Sequence, residues 1–380
     1  MEGMVIDSGF WRRKRVFVTG HTGFKGAWLS LMLARLNAET TGYALAPPTD
    51  PSLFDLLSVG DTLEDVRGDV NDLDRLRRVM IAADPEIVIH MAAQPLVKSG
   101  YADPVATFQT NVMGSVNVLE AARACPNLQA LVNVTTDKCY DNREWLRGYR
   151  ETDPLGGRDP YSNSKACAEL VTASYRASFF AQGATIATAR AGNVIGGGDF
   201  ADNRILPDAV RAFAAGRPLD VRAPKAVRPW QHVLEPLSGY LMLAEQAARH
   251  GEAFADGWNF GPGPDSERDV EALITRFIAA WGPGARWTPD RAAHPHEAGL
   301  LRLDASKARE KLDWRPLLSF DEAVDWTARW YRAHATGADV RGKTFDQIDA
   351  YLGQRVRLTS PFPAHESGAT QEQHAAERIA

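Results

Sequence analysis

Short apolar runs alternate with amphipathic stretches through the first half of the chain. RVFVT at Arg15–Thr19 is a β-branched run, and AWLSLMLARL at 27–36 has the apolar density of a helix lying on a sheet. A weaker strand follows at 41–45. IVIH at Ile87–His90 and LVNV at 131–134 are apolar runs that turn polar at their C-terminal ends, and 185–190 begins another strand. Between them, 111–122 and 162–174 read as helices. Continuous apolar strands separated by helices predict an α/β fold, a doubly wound parallel sheet covered on both faces. Ligands bind such a sheet outside the carboxyl ends of its strands, so the polar residues there matter most.

After about residue 192 the rhythm changes. Gly196, Gly197 and Gly198, then Pro207, Pro218, Pro224, Pro229, Pro262 and Pro264, interrupt the pattern. This divides the chain into a large domain over 10–192, with returns to the sheet near 229–260, and a smaller lobe from 193–228 and 261–335 that closes over the crevice. The polar stretch 359–380 reads as a flexible tail.

The 380 residues are 44% apolar and carry a net charge of −5 with no long basic run, which excludes nucleic acid as the partner. Arg12-Arg13-Lys14-Arg15 is short and reads as a solvated lead-in to the first strand. No apolar run approaches the ~18 residues of a membrane span, and the N-terminus lacks the apolar core of a signal peptide. The three cysteines, Cys125, Cys139 and Cys167, form neither a CxxC pair nor an even framework, which points to a reducing cytoplasm. His294-Pro295-His296-Glu297 is the nearest approach to metal-ligand spacing, and no metal is assigned.

Directly after the first strand comes Gly20-His21-Thr22-Gly23-Phe24-Lys25-Gly26, a GxxGxxG spacing that opens a helix. Gly20 permits the tight turn, Gly23 lets the backbone approach a pyrophosphate at the helix N-terminus, and Gly26 permits close helix–strand packing. The sheet is therefore expected to be Rossmann-type and to hold a dinucleotide. An acid that would grip the adenosine ribose should end the second strand, yet none lies at 43–46. His21 and Lys25 add positive charge near the phosphates, so these residues do not decide between the two nicotinamide dinucleotides; NAD is the expected cofactor, with NADP not excluded. Asp69, followed by Val70, is placed to contact adenine; it also fits the start of a helix.

Tyr161-Ser162-Asn163-Ser164-Lys165 gives YxxxK, which on a helix projects both side chains from one face. An ammonium one turn from a phenol stabilises phenolate and should lower its pKa. A phenolate can take the proton of an alcohol as that alcohol is oxidised by a nicotinamide. Thr135-Thr136-Asp137 lies at a strand end between the two motifs, where Thr136 can hydrogen-bond the same alcohol oxygen.

In their order, TGHTGFKG, HMAAQ at 90–94, TNVMG at 110–114, TTDK and YSNSK resemble the extended short-chain dehydrogenase/reductase family. Within it, the acid–base pair directly after Thr136 resembles the nucleotide-sugar 4,6-dehydratases. Most of these carry Asp-Glu, whereas Asp137-Lys138 resembles the CDP-glucose branch. CYDNREWLRGY at 139–149, RAGNVIGGGDF at 190–200 and RPWQHVLEPLSGY at 228–240 resemble the same branch. The resemblance implies that CDP-D-glucose is converted to CDP-4-dehydro-6-deoxy-D-glucose by C4 oxidation, loss of water across C5–C6 and reduction at C6. It makes Thr136, Asp137, Lys138, Tyr161 and Lys165 the catalytic set, with Asp137 as acid and Lys138 as base; the residues alone leave that order open. It brings Ala92, Ala93, Gln94 and Asn111 to the cofactor, along with the glycine turn, Asp69, Val70, Tyr161 and Lys165.

For the sugar nucleotide, Gln94, Thr136, Asn193, Arg204, Arg228, His232 and Arg302 are the candidates; the arginines suit phosphates. The family's usual homodimer would pack the 162–174 helix, with Ala166, Ala168, Leu170 and Val171, against a second copy. A nucleotide-sugar 4-epimerase needs Tyr161 and Lys165 but no pair at 137 and 138. A dehydratase for another nucleotide-linked glucose also remains open, and a non-catalytic dinucleotide sensor would need no tyrosine–lysine pair.

Overall fold

The computed structural model describes residues 6–290 and 299–359. Seven strands form one parallel sheet: β1 Arg15–Thr19, β2 Glu39–Ala44, β3 Glu64–Arg67, β4 Ile87–His90, β5 Ala130–Val134, β6 Thr185–Ala191 and β7 Gly257–Phe260. Their order is β7-β6-β5-β4-β1-β2-β3. The chain winds outward from β1 through β2 and β3, then crosses to β4 and continues the other way. The order therefore reverses between β1 and β4, where Val18 pairs with Ile89 and Thr19 with His90. A doubly wound sheet opens its ligand crevice at that reversal.

Both faces are covered, as the continuous apolar runs predict. Val16 and Val18 point into one apolar cluster and Phe17 into another; Ile87 and Ile89 oppose Val88 in the same way. Side chains alternate across a strand, so a strand buried on both sides reads as an unbroken apolar run. The larger cluster gathers Trp28, Trp258, Trp314 and Trp330, all fully buried.

Two strands lack the continuous apolar run of β1 and β4. β3 (EDVR) is an edge strand with partly exposed side chains, and β7 arrives from the second half of the chain to pair with β6. The helix Leu234–His250 leads into it. The 111–122 stretch is not uniformly α-helical: a π turn at Gln109–Met113 precedes the helix Gly114–Ala122. That wide turn presents the Asn111 amide to the chain beyond β4.

Small two-stranded pairings build the rest. Val227–Pro229 pairs with Glu267–Asp269, Leu219–Val221 with Trp287–Pro289, and Gln231–His232 with Val194–Ile195. The basic lead-in is partly tied down: Lys14 Nζ lies 3.0 Å from Glu86 Oε1. The helix Val340–Thr359 ends the described chain, so the stretch expected as a tail, apart from Thr359, lies outside the described residues. The 294–297 stretch lies outside them too. Among the described residues no helix is long and apolar enough to cross a membrane.

Candidate functional site

A cleft of about 1330 Å³ opens at the carboxyl ends of β1, β4, β5 and β6. The glycine turn forms one wall. Gly20 has φ +79°, and a Cβ there would lie 2.7 Å from the Ala92 nitrogen. A Cβ at Gly26 would lie 2.1 Å from the Gly20 carbonyl oxygen, so the helix can start only if both are glycine. Gly23 is different, because its Cβ would meet nothing closer than 3.5 Å. It is the N-cap of the helix Phe24–Arg35, and its side toward the cleft is open. Thr22, Phe24, Asp69, Val70, Ala92 and Ala93 line the same wall.

Lys25 enters the cleft beside them. Burial pushes its ammonium down to about 8, with Arg204 and Lys165 adding to the effect.

β5 supplies the opposite wall. Its last residue is Val134, and Thr136 then caps a short 3₁₀ turn over Asp137–Cys139 by accepting the Lys138 N–H at 3.3 Å. That turn sets Asp137 and Lys138 directly under the crevice. Asp137 is 1% exposed; one carboxyl oxygen accepts the Thr136 hydroxyl at 3.1 Å, and Oδ2 has no hydrogen-bond partner among the described residues. Burial raises its pKa, against the pull of Lys138 and the Thr136 hydroxyl. A buried carboxyl held toward its protonated form is suited to donating a proton.

The helix Pro160–Phe179 carries the tyrosine–lysine pair. Asp159 caps it by accepting the Ser162 N–H at 3.0 Å, and Pro160 occupies its first turn. Tyr161 and Lys165 are both buried to within 8% and line the cleft with Thr136 and Asp137. The phenol does not behave as the spacing predicts. Burial pushes Tyr161 up to about 12, with the Thr136 hydroxyl opposing and Asp137 reinforcing the shift. Lys165 Nζ donates to the Val134 carbonyl at 3.1 Å, and burial lowers it to about 8 against the attraction of Glu169.

With this geometry in place, comparison with known proteins is specific. Residues 17–327 match the family model described as GDP-mannose 4,6 dehydratase. The chain belongs to that family. A CDP-glucose 4,6-dehydratase of Salmonella typhimurium is 48% identical over 359 residues, 93% of this chain and 100% of that one. A dTDP-glucose 4,6-dehydratase of Streptomyces antibioticus is 30% identical over 83% of this chain and 92% of its own. Among solved structures, a dTDP-glucose 4,6-dehydratase of Streptomyces venezuelae with NAD and TYD bound superposes with a TM-score of 0.72. It is 23% identical and covers 85% of this chain and 98% of that one. A UDP-glucose 4-epimerase of Thermotoga maritima gives 0.72 at 19% identity, over 84% and 99%. These last two show the shared fold.

Several candidates of this 4,6-dehydratase family chain stand elsewhere than expected. His21 is fully buried and turned away from the cleft; Nε2 meets Asp65 at 2.8 Å, and burial lowers its pKa against that carboxylate. It lends no charge to the phosphate wall. Gln94 and Asn111 hold the backbone rather than face the cleft. Gln94 bonds Thr107 and the Leu96 N–H, while Asn111 bonds both backbone groups of Gln94 and the Ser164 hydroxyl at 2.8 Å. His232 is fully buried between Trp28 and Trp326, away from the cleft, and burial lowers it to about 3. Arg302 pairs with Glu267 at 3.0 Å and donates to the Leu146 carbonyl at 2.7 Å; it does not line the cleft. Polar partners hold His21, Gln94, Asn111 and Arg302 in these places, and aromatic packing holds His232.

Asn193, Arg204 and Arg228 do reach the cleft. Asn193 has φ +36°, and its Oδ1 is buried without a partner among the described residues. Arg204 pairs with Asp199 at 3.0 Å, and Arg228 donates to the Val227 carbonyl at 2.9 Å. Lys98 and Arg222, which no motif singled out, also line it. Gly192 was missed as well: a Cβ there would lie 1.8 Å from Asp137 Oδ2. It belongs to the 190–200 stretch, where glycine density was the available signal.

Proposed function

We propose that the chain is a CDP-glucose 4,6-dehydratase, a hydro-lyase acting on CDP-D-glucose with NAD held at the glycine wall. One observation carries this beyond its fold: the turn after β5 brings Asp137 and Lys138 into the same cleft as Tyr161 and Lys165. An epimerase has no use for that second pair. The relative at 48% identity supports the cytidine nucleotide.

The residues present fit the cofactor. Gly20 and Gly26 close the turn, Gly23 leaves room at a helix N-terminus, and Asp69 and Val70 lie where the adenosine half would rest. When bound, NAD supplies reversible two-electron oxidation and reduction of the sugar.

Tyr161 takes the C4 hydroxyl proton, and Thr136 donates a hydrogen bond to the same oxygen as it becomes a ketone oxygen. Lys165 stabilises the phenolate. The C4 ketone acidifies C5–H, whose proton Lys138 removes. Asp137 gives its proton to the C6 hydroxyl, which leaves as water. As C6 is reduced, the proton on Tyr161 is returned through the enol to C5 and the proton on Lys138 restores Asp137, so the net change is loss of one water. Arg204, Arg228 and Asn193 hold the diphosphate and sugar from the smaller lobe, 193–228 and 261–335.

The enzyme works as a cytoplasmic homodimer in this reading. Leu170 and Phe179 on the Pro160–Phe179 helix are 59% and 49% exposed, and Val105 on a helix packed against it is 78% exposed. These side chains suit a second copy. The three cysteines are free, as a reducing compartment requires.

The test is incubation with CDP-, dTDP-, GDP- and UDP-glucose followed by mass spectrometry. The CDP sugar should lose water, with no steady release of reduced cofactor. Net accumulation of NADH, or an epimer without loss of water, would overturn the reading.

A further inference from the structure

Behind the reacting pair lies a buried acid with no place in the steps above. Glu169 follows Lys165 by four residues, as Lys165 follows Tyr161, so the three share one face of the helix. Glu169 is 4% exposed. Its Oε2 accepts the Thr188 hydroxyl at 2.6 Å and Arg190 Nη2 at 2.8 Å, and its Oε1 accepts the Thr135 hydroxyl. Thr135 is the residue before Thr136. Arg190 continues the network, donating to the Tyr140 phenol at 2.8 Å, and Tyr140 donates to Asn259 on β7 at 2.7 Å. Three partners, two on β6 and one at the end of β5, hold the carboxylate in place.

We propose that Glu169 is a positioning residue for the reaction: it sets a fixed negative charge behind Lys165 and ties the strand end that carries Thr136 and Asp137 to the helix that carries Tyr161. The proposal rests on reading Tyr161 and Lys165 as the reacting pair. A carboxylate that receives two hydroxyl hydrogen bonds and an arginine stays ionised even when buried. Burial would raise Glu169, but Arg190 and the hydrogen bonds from Arg190, Thr135 and Thr188 bring it below the usual carboxylate range. For Lys165, burial favours the neutral amine, and Glu169 is the largest influence opposing it.

The other groups near Lys165 do not replace that charge. Tyr161 is on its own helix; Asp137 and Cys139 are on the β5 turn, Lys25 on the glycine helix, His90 at the end of β4 and Arg190 on β6. Burial favours the protonated acid in Asp137 and Cys139 and the neutral ring in His90, while Lys25 repels Lys165. Glu169 is the acid of this set held in its charged form.

The sign follows. Lys165 must be protonated to stabilise a phenolate, so kcat falls as pH rises through its pKa. Without the charge at 169 that fall moves to lower pH. The experiment pairs kcat–pH profiles on CDP-glucose with competitive acetic anhydride labelling of Lys165, read by peptide mass spectrometry across pH. The labelling reports the amine whether or not the substrate assignment holds.

Glu169→Gln should lower both midpoints by about one pH unit and reduce kcat at pH 8 roughly fivefold. Glu169→Asp should restore the midpoints, and Thr188→Val, which keeps the charge, should leave them in place. Should Glu169→Gln fail to fold because Arg190 is left unpaired, the double variant Glu169→Gln/Arg190→Met removes both buried charges and should still show the lowered labelling midpoint. A folded variant lacking the acid, with both midpoints where the parent has them, would overturn the proposal. Absence of any turnover by the parent chain would instead sink the substrate reading and leave the labelling result to stand alone.

Discussion

Gly192 and Asp137 are in direct apposition: a Cβ on Gly192 would lie 1.8 Å from Asp137 Oδ2. The end of β6 is thus shaped around the carboxyl that the β5 turn carries into the cleft. Gly192→Ala should displace that carboxyl, because Gly192 directly follows Ala191, whose strand is paired on both sides in the sheet. Turnover of CDP-glucose should fall by about 100-fold while circular dichroism stays unchanged. An alanine variant with parental kcat would mean that Asp137 has room to move without consequence.

Removing the phenol is a test of the first step. Tyr161→Phe keeps the ring that packs in the cleft and removes the proton acceptor. It should lower kcat by about 10³-fold, within the usual range for a general base, and leave cofactor binding by calorimetry within a few-fold of the parent. Parental turnover would show that another group takes the C4 proton.

The two halves of the reaction should come apart at the β5 turn. Asp137→Asn and Lys138→Met leave Tyr161 and Lys165 in place, so C4 oxidation continues while dehydration stalls. Stopped-flow absorbance should then show reduced cofactor building up within the enzyme, with little water loss by mass spectrometry. Rapid dehydration by both variants would show that other groups supply the acid and the base.

Lys25 links the cleft to stability and pH. Burial lowers it from the usual 10.5 to about 8, so between these values the unfolded chain holds a proton that the folded chain has released. Stability from this group therefore rises with pH across about 8 to 10.5, and its cost is fully present below about 8. Lys25→Met should raise stability at pH 7 by up to about 2 kcal/mol, with the gain shrinking toward pH 10.5. Urea melts at several pH values measure it, and a gain that grows with pH would contradict the assignment.

The arginines divide by what holds them. Arg302 is engaged by Glu267 and the Leu146 carbonyl outside the cleft, whereas Arg204 and Arg228 line it. Arg204→Ala should raise KM for CDP-glucose about tenfold with a smaller change in kcat. Arg302→Ala should leave both near parental values and lower Tm. Steady-state kinetics on the two variants decides between them.

Much of this molecule could be read from local pattern. β1 and β4 were visible at their observed bounds because a strand buried on both faces must be apolar at every position. The turn at 20–26 was visible because positive φ at Gly20 and the contact at Gly26 tolerate no side chain. The tyrosine–lysine pair followed from helix periodicity, and the placing of Thr136, Asp137 and Lys138 from a strand that turns polar at its end.

What the chain did not reveal by itself depends on which distant groups meet. β3 lacks an apolar run because it is an edge; a return to the sheet near 229–260 was legible, but its place beside β6 is set by the Leu234–His250 crossover. Arg302 and Arg228 are the same residue type beside similar neighbours; a glutamate from another strand holds the first away from the cleft. His21 lies within the glycine turn, yet Asp65 on the strand that follows β2 draws its ring to the far side. Periodicity and backbone sterics act between neighbours in sequence, so sequence alone determined the fold class and the placing of Tyr161 and Lys165 on one helix face. Burial and charge depend on what packs from elsewhere, so only the tertiary structure decided which polar side chains line the cleft, and in which direction each one's proton affinity is shifted.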